Sequence, residues 1–298
     1  MDTSPFFSII IPTYNRSQFI GATLNSVLGQ EFASYEVIVV DDGSTDNTED
    51  VVRSINNPRV TYYKKANGER GAARNFGWKL ANGKYVTFLD SDDLFYSHHL
   101  ETAFREATKL NFPNCFAQGF EIIESSTKKV VSRGYRTRHQ TINKDIFKGN
   151  FLACFGVFMK RELIDEIKFE EERKFAGSED WLLWLQLSAR YPFHYSNNIT
   201  GALLKHKGRS VNFLDADNLL FRADFIKKCL QRDPVFQKIF GNEGVSIAYS
   251  HVLTYACLVM ADKEKRKTLL YFTKAIKANT KELFTQRSLA IFKRILLN

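Results

Sequence analysis

The sequence predicts an α/β fold: a Rossmann-like, mostly parallel central sheet flanked by helices, followed by an all-helical C-terminal extension. Three observations predict it. Across residues 6–89, apolar runs of strand length alternate with helix-period segments, joined by short polar turns. After residue 113 the pattern changes to short strands of antiparallel type, and from about Asp215 onward it is helical only. The 298 residues are 44% hydrophobic, and 26 Phe and 12 Tyr suffice to fill a sizeable core. The expected division is residues 1–213 for the α/β domain and 214–298 for the extension.

Each element has its own signal. Phe6–Ile11 is a wholly apolar run that should end at Pro12, which has no N–H for a sheet ladder. Ser17 to Gly29 has Phe19, Ile20, Thr23, Leu24 and Val27 on one helical face, with Ser17 as the expected N-cap. Glu36–Val40 is the second strand, running into the turn chemistry of Asp41-Asp42-Gly43-Ser44. Thr45 or Asp46 should cap the next helix. Val60–Lys64 is a third strand, Gly71–Leu80 a helix, and Tyr85–Leu89 a fourth strand. Ala117–Ile123 and Lys129–Val131 read as an antiparallel pair, Glu179–Leu187 as a helix, and Phe193–Leu204 as a return toward the sheet. Val245–Met260 and Lys265–Ala278 read as a helical hairpin.

The net charge is +9, and residues 263–298 hold ten basic residues against two acidic ones, nearly the whole excess. That end suits an anionic surface, or else is a solvated helical face. Over Arg287–Asn298, Leu289, Phe292, Ile295 and Leu296 fall on one face, so this helix either lies on an anionic membrane or docks on the preceding helices. No nucleic-acid motif accompanies the charge. Cys115, Cys154, Cys229 and Cys257 form no CxxC pair and read as buried thiols in a reducing compartment. With no signal peptide visible, the expected location is cytoplasmic, with peripheral contact at the inner membrane face. Gly244–Ala261 lacks Asp, Glu, Lys and Arg, but Ser246, Ser250, Thr254 and His251 give it a polar stripe, which argues for a packed helix rather than a membrane span.

In a parallel sheet, ligands bind outside the carboxyl ends of the strands. Three polar clusters fall there: Thr13-Tyr14-Asn15, Asp41-Asp42 and Asp90-Ser91-Asp92-Asp93. Three carboxylates in four residues repel one another. A divalent cation such as Mg²⁺ or Mn²⁺ would offset that repulsion and present positive charge to a diphosphate. Tyr14 suits a base face, an Asp at 41 or 42 suits base or ribose donors, and Arg74 reaches either an anionic ligand or the acids themselves.

Four segments in order carry a resemblance: SIIIPTYNR (Ser8–Arg16), VIVVDDGSTDNT (Val37–Thr48), GAARNFGWKLANGKYVTFLDSDD (Gly71–Asp93) and GSEDWLLWLQL (Gly177–Leu187). Together they resemble the inverting family 2 glycosyltransferases of GT-A fold, over roughly residues 5–210. The resemblance implies a nucleotide-binding segment at Pro12, Thr13 and Tyr14. It makes Asp41 the acid that contacts the uracil of a UDP-sugar. Asp90-Ser91-Asp92 is similar to the DxD motif, with Asp92 on the metal and Asp90 at the ribose or metal. Asp180 looks like the catalytic base. LKHKGRSV (Leu204–Val211) resembles the family's later His-containing segment and places His206 at the metal or diphosphate, or in a structural role. The Pro that often follows the DxD acids is absent, and Ser97 is the expected replacement helix cap. Residues 113–175 match no motif.

The implied reaction moves a sugar from a nucleotide-diphosphate donor to an acceptor hydroxyl. By analogy the acceptor is a growing surface polysaccharide or a lipid-linked glycan. Two rivals use parts of the same pattern. A nucleotidyltransferase also places acids and metal at an α/β sheet, but the Gly-rich basic loop for a triphosphate is missing after the first strand. A non-catalytic nucleotide- or glycan-binding module would not need both Asp92 and Asp180.

Overall fold

The computed structural model describes residues 4–206, 208–209 and 215–297. The expected domain boundary at 213/214 and part of the Leu204–Val211 segment lie outside the described residues. The chain forms two compact units. The first comprises residues 1–143, 151–176 and 191–207; the second comprises 144–150, 177–190 and 208–298.

The first unit is built on a nine-stranded sheet among the described residues. Its strands are β1 (Phe7–Thr13), β2 (Tyr35–Asp41), β3 (Val60–Lys64), β4 (Tyr85–Phe88), β5 (Leu94–Phe95), β6 (Cys115–Glu124), β7 (Val130–Arg133), β8 (Val157–Lys160) and β9 (Phe193–Lys205). The order is β3-β2-β1-β4-β8-β6-β9-β5, with β7 on β6. The first four strands are mutually parallel. Beyond β4 the sheet is mixed: β8 is antiparallel to both β4 and β6, while β9 runs parallel to β6.

β1 does not stop at Pro12. Its pairing with β2 continues to Thr13 opposite Asp41. The Thr13 carbonyl accepts from Asp42 on the β2 side, so Pro12 points the other way, where pairing with β4 has already ended at Ile10 opposite Phe88. The missing N–H thus falls on an unpaired edge.

Helices cover both faces of the sheet. On one, α1 (Ile20–Leu28) and α4 (His99–Lys109) pack Leu24, Val27 and Leu100 against Ile9, Ile11, Val37 and Val39. On the other lies α3 (Glu69–Leu80). A Cβ at Gly77 would sit 2.5 Å from Ile10 and 3.1 Å from Val40, so only glycine permits this approach. Trp78 is fully buried and donates its indole N–H to Arg161 O (2.8 Å).

Two expected caps differ. α1 begins at Ile20 and Ser17 does not cap it; the Ser17 N–H donates to Asp46 Oδ2 (3.1 Å). Ser97 does not cap α4, because its hydroxyl donates to Glu31 (2.7 Å), and Gln30 Oε1 instead receives the Leu100 N–H. The N-cap position of α2 (Thr48–Ser54) is Asn47, without a side-chain cap bond, and Asp46 accepts the Thr48 N–H at 3.0 Å from the residue before it.

The second unit is helical: α5 (Glu179–Arg190), α6 (Ala216–Arg232), α7 (Pro234–Met260), α8 (Lys265–Ala278) and α9 (Gln286–Leu297), with α7 broken at Gly241 (φ 56°). Asp215 caps α6 through the Asp217 and Asn218 N–H groups. Asp233 caps α7 and also pairs with Arg190 of α5 (2.8 Å). Two residues of the polar stripe of α7 turn inward, while Ser246 and His251 stay half-buried. Ser250 and Thr254 are fully buried, and Ser250 donates to Ala275 O of α8. Among the described residues no helix is long and apolar enough to cross a membrane.

α9 docks on α7. Arg287 donates to His251 O and Arg294 to Leu258 O, both at 2.9 Å. The apolar face expected from sequence is divided by this docking. Ile291 is buried and Phe292 packs edge-on against Phe272, while Leu289 (64% exposed) and Leu296 (78%) point outward. The two guanidinium bonds accompany this rotation, which apolar spacing alone does not reveal.

Candidate active site

β4 delivers the acidic loop, and each carboxylate has a separate partner. Arg74, buried on α3, donates to Asp90 Oδ1 at 2.7 Å and lies over the Phe169 ring. Asp93 Oδ1 accepts the Leu204 N–H of β9 (3.1 Å), so this acid anchors a strand rather than capping a helix. That anchor brings the end of β9 to the loop. Two residues on, His206 Nε2 lies 3.0 Å from Asp92 Oδ2. The His206 ring stacks on Phe19 (4.5 Å), and Arg16 Nε stands 3.8 Å from the same Asp92 oxygen. Opposite charges and hydrogen bonds thus offset the mutual repulsion of the acids. The Thr23 hydroxyl, 3.0 Å from both the Ser91 and Asp93 carbonyls, holds the backbone of the loop.

The residues fit a hard divalent cation in part. Asp92 Oδ2 and His206 Nε2 stand at hydrogen-bonding distance, 3.0 Å, so the two side chains share one locus and could turn to one ion. Magnesium-type sites commonly use only one or two protein ligands and leave the rest to phosphate and water. Among the described residues no group of three His, Cys, Asp or Glu converges. Asp90 is directed to Arg74 instead.

The β1 and β2 ends form a second cluster. Tyr14 is 47% exposed, whereas Thr13 is buried and its hydroxyl has no hydrogen-bond partner among the described residues. Asn15 adopts positive φ (50°), which Asn tolerates; its backbone N–H donates to Ser44 Oγ and its side-chain Oδ1 accepts the Thr45 N–H, and these bonds tie the β1 end to the next loop. Asp41 is fully buried with both oxygens engaged, by the Tyr62 hydroxyl (2.6 Å) and the Ser44 N–H (2.6 Å). Burial, and then the bond to Asp41, keep the Tyr62 phenol protonated. Asp42 receives Lys65 Nζ (2.7 Å) and the Gly68 N–H (2.9 Å). Asp46, which ties the Ser17 turn to α2, titrates at about 2: burial opposes this, but hydrogen bonds from Thr48 and Ser17 outweigh it.

Asp180 belongs to the second unit, at the N-terminal turn of α5, where the helix dipole favours an ionised carboxylate. Its Oδ1 accepts the Trp181 N–H (2.8 Å), and its Oδ2 accepts from Asn150 Nδ2 (2.9 Å). Sequence reasoning did not assign Arg16, Thr23, Tyr62, Lys65 or Asn150. Only Arg16 lay inside a recognised motif; the others are joined to the acids by long-range packing.

Comparisons with known proteins agree with this architecture. Residues 8–168 match glycosyl transferase family 2. The chain is similar to the Escherichia coli UDP-Glc:alpha-D-GlcNAc-diphosphoundecaprenol beta-1,3-glucosyltransferase WfgD, 34% identical over 182 residues, covering 60% of this chain and 68% of that protein. It is also similar to the Campylobacter jejuni GalNAc(5)-diNAcBac-PP-undecaprenol beta-1,3-glucosyltransferase, 31% identical over 197 residues, covering 64% of this chain and 62% of the relative. Among solved structures, S. aureus TarS 1-349 in complex with UDP-GlcNAc superposes with a TM-score of 0.71 at 19% identity, covering 97% of this chain and 88% of that one, which supports the GT-A fold. With its motifs, sheet and acidic loop all in register, the chain belongs to the family 2 glycosyltransferases.

Proposed function

We propose that this glycosyltransferase moves a sugar from a UDP-sugar to a hydroxyl of a glycan carried on a polyprenyl diphosphate, with inversion at the anomeric carbon. The observation that carries the donor side is the Asp92–His206 pair, 3.0 Å apart across 114 residues of sequence. The names of the similar bacterial enzymes, with UDP-Glc donors and undecaprenol-linked acceptors, support the substrate classes.

In this reading Asp92 and His206 would hold Mn²⁺ or Mg²⁺. When bound, such an ion offsets charge on the diphosphate leaving group. Arg16, beside Asp92, adds fixed positive charge there. Arg74 holds Asp90, the acid read as standing at the ribose side of the donor. Pro12 and Thr13 shape the binding segment, Ser91 contributes the loop backbone, and exposed Tyr14 offers a stacking face for the base. Asp41 acts through the loop that it organises, since both its oxygens are already taken. Asp180 accepts the proton of the attacking hydroxyl as the sugar–oxygen bond forms and the bond to the diphosphate breaks.

Peripheral contact with an anionic membrane extends the proposal. Phe284 (84% exposed), Leu289 and Leu296 face solvent, alongside exposed Lys281 and Lys293. An apolar edge bordered by lysines suits anionic headgroups, where a lipid-linked acceptor would reside.

The test is a donor screen: purified protein, Mn²⁺, a panel of UDP-sugars and a short polyprenyl-diphosphate N-acetylhexosamine. Acceptor-dependent UDP release and a product of inverted anomeric configuration are expected. Retained configuration, or release of pyrophosphate from nucleoside triphosphates instead, would overturn the reading.

A further inference from the structure

We propose that Asn150 is a positioning residue for Asp180, an inference that rests on the reading of Asp180 as the base. Asn150 is exposed, so packing does not hold its side chain. Its amide nevertheless reaches across 30 residues of sequence to donate to Asp180 Oδ2 at 2.9 Å. An ionised carboxylate only accepts hydrogen bonds, so the amide presents its NH₂ and not its oxygen. The bond stabilises the ionised form that a base requires and limits rotation of the carboxylate.

The backbone that carries Asn150 is tied to the same helix. Trp181, next to Asp180, donates its indole N–H to Ile146 O (2.9 Å). Ile146 lies within a single turn of 3₁₀ helix, Asp145–Lys148, which Gly149 closes, and Asn150 follows directly. Gly149 has φ +129°, and a Cβ there would lie 2.7 Å from His251 Nε2, so its backbone rests directly against that ring. The His251 ring is itself held, with Trp181 at 5.2 Å and Arg287 Nη2 3.3 Å from its Nε2. Asn150 is therefore an exposed side chain on a fixed mount. Such an arrangement orients a neighbour; it contributes little to folding.

Asn150→Ala removes the donor, and Asn150→Asp keeps the shape but turns the donor into a second carboxylate. The measurements are kcat, KM for the UDP-sugar, UDP affinity and Tm, with Asp180→Asn in parallel. A hydrogen bond to a charged group is worth enough for Asn150→Ala to lower kcat about 10- to 100-fold. Asn150→Asp should lose more than Asn150→Ala, while donor KM, UDP affinity and Tm stay at the wild-type values. Wild-type kcat in either Asn150 variant, with Asp180→Asn inactive, would overturn the role of Asn150 alone. A loss confined to UDP affinity or Tm would overturn it too. Wild-type kcat in Asp180→Asn would instead remove the base reading on which the proposal stands.

Discussion

At the scale of single residues, the acidic loop separates tasks that look alike in sequence. Asp90, Asp92 and Asp93 are chemically the same side chain, yet one meets a buried guanidinium, one an imidazole, and one a backbone N–H. If Asp92 and His206 hold the cation, UDP should bind much more weakly in chelator than in Mn²⁺. His206→Ala should reduce that difference without unfolding the protein. Calorimetric titration reads both, and equal UDP affinity with and without metal would reject the assignment. The acids were legible in sequence because a carboxylate cluster after an apolar run marks a strand end. Their partners were not: Arg16 and Thr23 come from the β1–α1 region, and His206 arrives through the anchoring of β9. No local pattern encodes those distances.

At the scale of elements, close contacts decide what changes the fold tolerates. Gly77→Ala drives a methyl group into Ile10 and should cost about 1–3 kcal/mol by overpacking. Thermal or urea denaturation checks this; a variant of wild-type stability would show that α3 can move off the sheet freely. Two helices hold neutral histidines, the buried His99 in α4 and the half-buried His251 in α7, each held down to about 3 chiefly by desolvation. The unfolded chain takes up these protons below about 6.5, whereas the folded protein does not until about 3. Stability should therefore fall as pH drops through that window. His99→Phe should flatten the fall, and unchanged pH dependence in that variant would contradict the burial argument. The edge of α9 is tested by co-sedimentation with anionic vesicles. Leu289→Ser with Leu296→Ser should lower partitioning, and equal partitioning would remove the membrane proposal. Element identities were well marked by periodicity, and β3 and α8 have the bounds expected of them. The rotation of α9 was hidden because its apolar residues divide between the packed side, with Ile291 and Phe292, and the exposed side, with Leu289 and Leu296. The caps at Ser17 and Ser97 were misread because each residue is engaged by a side chain from another element.

At the scale of the whole molecule, the fold class and family follow from strand–helix alternation and four motifs in order. The described sheet is mixed beyond β4, and β6, β7 and β8 come from residues 113–175, where the sequence carried no named motif. The second unit also gathers segments that are distant in sequence, 144–150 and 177–190, with the C-terminal helices. Of the residues named in the proposed reading, Asp92 and His206 belong to the first unit and Asp180 to the second. Substituting Asp180 by Asn tests that division most directly, because it preserves shape and removes proton acceptance. Loss of a general base typically lowers turnover ~10²- to 10⁴-fold, whereas loss of a helix cap costs about 1 kcal/mol of stability and leaves turnover largely intact. UDP affinity and turnover, measured side by side for wild type and Asp180→Asn, should show retained binding with collapsed transfer. Near-normal turnover in the variant would contradict the account.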